Sequence, residues 1–182
     1  EWSKQKQGDE LPCKSLIPDY SIAKVLVSKT DMTNLLIETG MVPDSISFNR
    51  QKIPFSDLQN NLKYPFWVRS SSGTSGLGSL LVESELALKN WIQINPKVEQ
   101  FIASSYLPGR NLACKLLYFN GNLIRTATGE RVNYIMAKVA PSGITGNTSY
   151  GRLLNEQNLV TKSIEALDVL FKKTNSAKHG FF

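Results

Sequence analysis

Histidine and cysteine are nearly missing from this chain: among 182 residues there is one histidine, His179, and two cysteines, Cys13 and Cys114. With one imidazole and no Cys-x-x-Cys pair, a zinc site has almost no ligands to draw on. Cys13 lies near a polar N-terminus and Cys114 far away inside an apolar pattern, which argues for two inert thiols rather than a disulfide. Long apolar runs are also lacking. No segment approaches the roughly 20 residues needed to cross a bilayer, and Glu1-Trp2-Ser3-Lys4-Gln5-Lys6-Gln7 has no apolar signal-peptide core. The expectation is a cytoplasmic protein with no membrane partner. Acidic residues are the minority, 15 against 21 basic, for a net charge of +6. That balance suits a polyanionic ligand. The basic residues are scattered, however, and Trp67, Trp91, Tyr118 and Phe119 sit in patterned segments instead of interleaving with arginine, so nucleic acid is not the expected partner. A general base is missing as well, because His179 reads as a satisfied or exposed histidine.

What is present is an ordinary apolar content of 41%, enough for one generous domain or two small ones. Residues 1–20 are polar, contain Pro12 and Pro18, and read as a tether or the end of an upstream domain. Met32, Leu35 and Leu36 at helical spacing predict a helix from about Ser28, with Ser28 or Thr30 as cap and Gly40 as stop. Met41-Val42-Pro43 exits into an extended segment, and a short helix follows at Ser56–Asn61 with Asp57 in its first turn. Strands are predicted at Phe66–Arg69 and Leu80–Val82. The next helix, Glu83–Asn95, turns Leu86, Trp91 and Ile94 inward and ends near Pro96. Strands Glu99–Ser105 and Asn111–Phe119 come next; Asn120-Gly121 then marks a hairpin into Asn122–Ala127. A further strand at Arg131–Ala140, a loop at Pro141–Gly151 and a helix at Asn155–Lys172 complete an α+β order. Leu159, Ile164, Leu167, Leu170 and Phe171 are that helix's core candidates.

The most informative segment is Tyr64-Pro65-Phe66-Trp67-Val68-Arg69, followed by Ser70-Ser71-Ser72-Gly73-Thr74-Ser75-Gly76-Leu77-Gly78-Ser79 and then Leu80-Leu81-Val82. An apolar strand ends on an arginine, a small-residue loop follows, and a second apolar strand closes it. Glycines let backbone N–H groups converge on an anion, hydroxyls add donors, and a guanidinium supplies a charge that stays on. A flexible hairpin has the same composition. The loop is no P-loop, since Gly78 is followed by Ser79 and a strand, and no dinucleotide fingerprint, since its glycines do not open a helix.

In this order the segments resemble the ATP-grasp superfamily, most closely the branch related to the large subunit of carbamoyl-phosphate synthetase, over roughly residues 25–182. Ser28-Lys29-Thr30-Asp31 with Thr39-Gly40-Met41-Val42-Pro43 looks like the family's lead-in segment, and Tyr64 to Gly78 looks like its lid. Phe101-Ile102-Ala103-Ser104-Ser105-Tyr106-Leu107-Pro108-Gly109-Arg110-Asn111 looks like the adenine hinge. The resemblance implies an α+β fold of two subdomains with the nucleotide between them: a tether at 1–20, a lead-in at 21–62, a lid subdomain at 63–105 and a central antiparallel sheet at 106–182. It implies ATP as cofactor, with Lys29 and Arg69 on the phosphates beneath Ser71, Ser72, Gly73, Thr74, Ser75 and Gly76. It further implies Ser104, Ser105, Tyr106 and Leu107 at the adenine, and Asn111 at the ribose. Glu130, Arg131, Ser142, Gly143, Thr145 and Gly146 look like acceptor-side segments that hold small-molecule carboxylate and amine substrates.

Two departures stand out. The family often places a glutamate where Ser105 stands and an acidic residue where Asn111 stands, and an amide cannot polarise as a carboxylate does. The family's magnesium ligands follow a segment like His179-Gly180-Phe181-Phe182, so Mg2+ is expected to be held beyond residue 182, with no metal ligand in this chain and no turnover by these residues alone. The expected function is ATP binding in a carboxylate–amine ligase that works through an acylphosphate, and a homodimer is compatible with it. The rival is a non-catalytic nucleotide-binding or structural module with the same lid.

Overall fold

Polar residues at the N-terminus, expected as a tether, instead carry a helix, α1 (Trp2–Gln7), and lead into a second, α2 (Tyr20–Val27). The computed structural model describes residues 1–8, 13, 15–73 and 76–182. α1 buries no residue. Its anchor is electrostatic: the Lys6 ammonium donates to the Ile17 carbonyl at 2.7 Å and to the Asp19 carboxylate at 3.1 Å. Asp19 in turn accepts the Ala177 amide at 2.7 Å. Burial pushes the Asp19 carboxyl up, but the Ala177 amide and Lys6 outweigh it and hold the group below its usual range.

Chain contacts divide the molecule into two units, one formed by Glu1–Val27, Arg110–Arg131 and Gly151–Phe182, the other by Ser28–Gly109 and Val132–Tyr150. In the second unit α3 (Lys29–Leu36) starts where the sequence placed it, its N-cap Ser28 accepting the Asp31 amide at 3.2 Å. A short 3-10 turn, Ile37–Thr39, ends on Gly40 in the left-handed region at φ 67°. β1 (Ser45–Asn49) and α4 (Phe55–Asn61) follow, then β2 (Phe66–Ser70), β3 (Leu80–Val82), α5 (Glu85–Ile94) and β4 (Gln100–Ser105). The strands form an antiparallel sheet in the order β1-β4-β2-β3.

The two faces of this sheet differ in chemistry, as the period of two requires. Phe66 and Val68 of β2, Phe101 and Ala103 of β4 and Phe48 of β1 are buried against Leu58, Leu62, Leu88, Ile92 and Val98. The opposite face carries Trp67 and Arg69, in register with Ser104 and Ile102 of β4, which oppose Ser45 and Ser47 of β1. The expected inward face of α5 is corrected here: Leu86 and Ile94 are 67% and 68% exposed, and the i, i+4 pair Leu88 and Ile92 enters the core. Trp91 keeps its expected inward position, partly buried against that core.

In the first unit β5 (Leu112–Phe119) and β6 (Asn122–Tyr134) form the hairpin announced by Asn120-Gly121, whose φ values of 47° and 87° are those of a tight type I′ turn. Of the strand expected separately at Arg131–Ala140, residues 131–134 are instead the end of one continuous β6 and residues 135–140 form turns, and the expected loop Pro141–Gly151 gives way at its end to β7 (Thr148–Leu154). Gly129 is a close-approach position: a Cβ there would lie 3.2 Å from the Arg152 carbonyl oxygen. After β7 come α6 (Gln157–Thr174) and β8 (Gly180–Phe181), and the sheet order is β7-β6-β5-β8. Val160, Leu167, Leu170 and Phe171 of α6 are buried, whereas Leu159 and Ile164 are half-buried. Tyr118, Phe171 and Phe182 meet edge to face at 5.1–6.3 Å between ring centres. Both cysteines are free thiols, Cys13 exposed and Cys114 half-buried.

Candidate functional site

Arg69 leaves β2 on the face turned away from the hydrophobic core, half-buried, and its Nε is buried with no hydrogen-bond partner among the described residues. A buried donor left without any partner costs about 1–3 kcal/mol. Burial holds the guanidinium below its ordinary pKa. Lys29, at the start of α3, is held below the ordinary lysine value by burial first and by the field of Arg69 second. No carboxylate among the described residues pairs with either cation. Two like charges thus share a half-buried setting with no carboxylate counter-ion among the described residues.

The glycine loop is tied down at both ends. Ser71 donates its amide to the Gln100 carbonyl at 2.9 Å, Ser70 its amide to Leu77 at 3.1 Å, and Ser79 its amide to Gly76 at 3.0 Å. Trp91 of α5 donates its indole N–H to the Gly78 carbonyl at 2.9 Å. On the near side the Lys29 ammonium donates to the Gly73 carbonyl at 2.9 Å, and the Ser71 and Thr30 hydroxyls bond at 2.7 Å. Two glycines are required by geometry. Gly76, at φ 74°, sits so close to the segment 142–146 that a Cβ would meet the Ile144 carbonyl oxygen at 2.3 Å; Gly78, at φ 65°, faces the Ser70 amide and the Phe101 ring at 3.1 and 3.3 Å. Ser72 and Gly73 are exposed, and Thr74 and Ser75 lie outside the described residues.

Of the expected hinge, Ser104 is buried within β4 and Ser105 donates its amide to the Asp44 carbonyl at 2.9 Å; Tyr106 and Leu107 leave the sheet exposed. Asn111, Glu130 and Arg131 belong to the other unit and cluster there. The Asn111 carbonyl accepts the Arg131 amide at 2.8 Å. Arg110 binds Glu130 at 3.2 Å and Glu156 at 3.3 Å, and its hydrogen bond holds the Glu130 carboxyl below the usual range. In the segment 142–146 the hydroxyls serve the loop itself: Ser142 donates to the Ile144 carbonyl at 3.1 Å and Thr145 donates to the Ile135 carbonyl. Gly143 takes the left-handed φ of 69°, and Gly146 that of 80°. His179 has a partner at each ring nitrogen, the Ser15 carbonyl at 2.9 Å and the Asn120 amide at 3.4 Å.

Sequence reasoning missed three residues at this site. Trp67 shares the Arg69 face of β2, and counting back by two from Arg69 would have found it. Thr30 and Ser47, whose hydroxyls bond at 3.0 Å, carry no sequence signal for that contact, Thr30 being read only as a cap candidate and part of the lead-in segment. Among the described residues no three His, Cys, Asp or Glu side chains come together so as to hold a metal ion. No helix among them is long and apolar enough to cross a membrane.

The depressed Lys29 ammonium gives a pH test. A base whose pKa is lowered by folding binds fewer protons in the native chain than in the unfolded one, so raising the pH through that folded value should increase resistance to unfolding. The same step removes the positive charge of Lys29, on which any attraction of an anion there would depend. Tripolyphosphate affinity should therefore fall at a lower pH than an ordinary lysine gives, and the step should vanish in Lys29→Met; an unchanged step in that variant would assign it elsewhere.

No protein-family model and no curated protein sequence matches the chain. Solved structures do. It is similar to D-alanine–D-alanine ligase from Bacillus anthracis, with a TM-score of 0.65 and 14% identity over 90% of this chain and 54% of that one. VanG D-Ala:D-Ser ligase from Enterococcus faecalis gives 0.63 and 17% over 87% and 48%. L-amino acid ligase from Bacillus licheniformis gives 0.60 and 15% over 98% and 40%. The Bacillus anthracis enzyme matches again in its complex with ATP, at 0.62 and 13% identity over 90% and 51%. This chain spans about half the length of these structures, and its fold is that of the ATP-grasp ligases.

Proposed function

We propose that these residues form the ATP-binding part of a ligase that joins a small-molecule carboxylate to an amine through an acylphosphate. The observation that carries the reading is the meeting of Arg69 and Lys29 without a carboxylate, beneath a glycine loop held at both ends. ATP brings its charge as a triphosphate, and two cations from separate segments neutralise it where charge develops during transfer. A carboxylate oxygen of the acceptor attacks the γ-phosphorus and ADP leaves. The amine nitrogen then attacks the acyl carbon, phosphate leaves and the nitrogen's proton passes to the departing phosphate or to solvent, so no covalent bond to the protein is needed. Trp67 offers an aromatic surface on the Arg69 face, and of the expected hinge the main chain of Tyr106 and Leu107, beyond the end of β4, offers the donor and acceptor for a base edge.

Solved neighbours that act on amino acids support an amino acid as the carboxylate and as the amine. The carbamoyl-phosphate-synthetase-like branch rests on the lead-in and hinge motifs. Hydroxylamine tests the intermediate in the full-length gene product. Incubation with ATP and an amino acid should yield the amino-acid hydroxamate in step with ADP; ADP formation with no hydroxamate from any carboxylate would remove the acylphosphate.

A further inference from the structure

We propose that the first turn of α3 is a clasp for the glycine loop, with Thr30 as its positioning residue. The first amides of a helix have no partner inside it. Here the Lys29 amide, one of these, donates to the Ser71 carbonyl at 2.8 Å, and Ser28 bridges Ser72 in antiparallel fashion. The Lys29 side chain adds its bond to the Gly73 carbonyl at 2.9 Å. Thr30 completes the set, because its hydroxyl lies 2.7 Å from that of Ser71 and 3.0 Å from that of Ser47 on the edge strand β1. One threonine thus ties helix, loop and sheet together. Ser71 itself is buried and keeps its amide on β4, so the clasp closes over a fixed base. The far end of the loop hangs on Trp91 through Gly78. Opening therefore begins at residues 71–73 by release of α3, and this holds whether or not the loop binds a phosphate.

Site-resolved amide hydrogen exchange on the protein without nucleotide tests the clasp. In Thr30→Val the Lys29 amide should exchange at least about fivefold faster, the consequence of losing one hydrogen bond. The Ile102 and Ala103 amides of β4 should keep their rates, and Thr30→Ser should stay within about twofold of the parent. Lys29→Met, which breaks the Gly73 bond instead, should give the same local pattern. An unchanged Lys29 amide in Thr30→Val, or equal acceleration of the β4 amides, would overturn the clasp.

Discussion

Arg69→Ala should weaken binding of a non-hydrolysable ATP analogue by roughly 10- to 100-fold, the equivalent of about 1.5–3 kcal/mol for a charge-assisted contact. Lys4→Ala, on the exposed face of α1, should leave affinity unchanged. The loss in Arg69→Ala should not come with a loss of fold. The Arg69 Nε has no hydrogen-bond partner among the described residues, and the guanidinium and Lys29 act on each other as like charges, so its removal relieves an orphaned donor and a repulsion. Calorimetric titration of both variants, paired with their thermal unfolding, separates the two effects. Equal affinities would take the cation pair out of the account.

Phe101→Ala is the variant expected to damage the fold most, by about 3–5 kcal/mol in urea unfolding, the range for deleting a buried aromatic ring. Phe101 is fully buried on the core face of β4, and its ring stacks on Phe48 at 5.8 Å and 15°. It also lies under Gly78, so the cavity would open directly beneath the glycine loop. Lys97→Ala, at an exposed position, should cost less than about 0.5 kcal/mol. A loss below about 1 kcal/mol for Phe101→Ala would mean that this face of the sheet is not the core.

These two residues show how unevenly the sequence reveals the molecule. Arg69 was legible because three local signals coincide at it: an apolar strand, a terminal cation and a glycine-rich loop. Ser28 and Gly40 were legible for the same reason, since caps act through bonds to near neighbours in the chain. α1 was not. Its one large apolar side chain, Trp2, stays 66% exposed, and the helix is held by Lys6 and Asp19, which no periodicity announces. The phase of α5 was ambiguous because Leu86, Leu88, Ile92 and Ile94 offer two overlapping stripes. The long-range bond from the Trp91 indole to the Gly78 carbonyl fits the stripe that the structure buries. Thr30, Ser47 and Ser71 lie far apart in the chain, and only folding makes them one set of hydroxyl contacts.

An NMR titration of the protein with a non-hydrolysable ATP analogue, following the Lys29 ammonium, the Arg69 Nε and the backbone amides together, tests the central claim most directly. The account predicts that Lys29 and Arg69 shift in one saturating transition along with the amides of residues 71–73 and 76–79. Saturation with both cations unmoved, or shifts confined to the Arg110, Glu130 and Glu156 cluster, would contradict it.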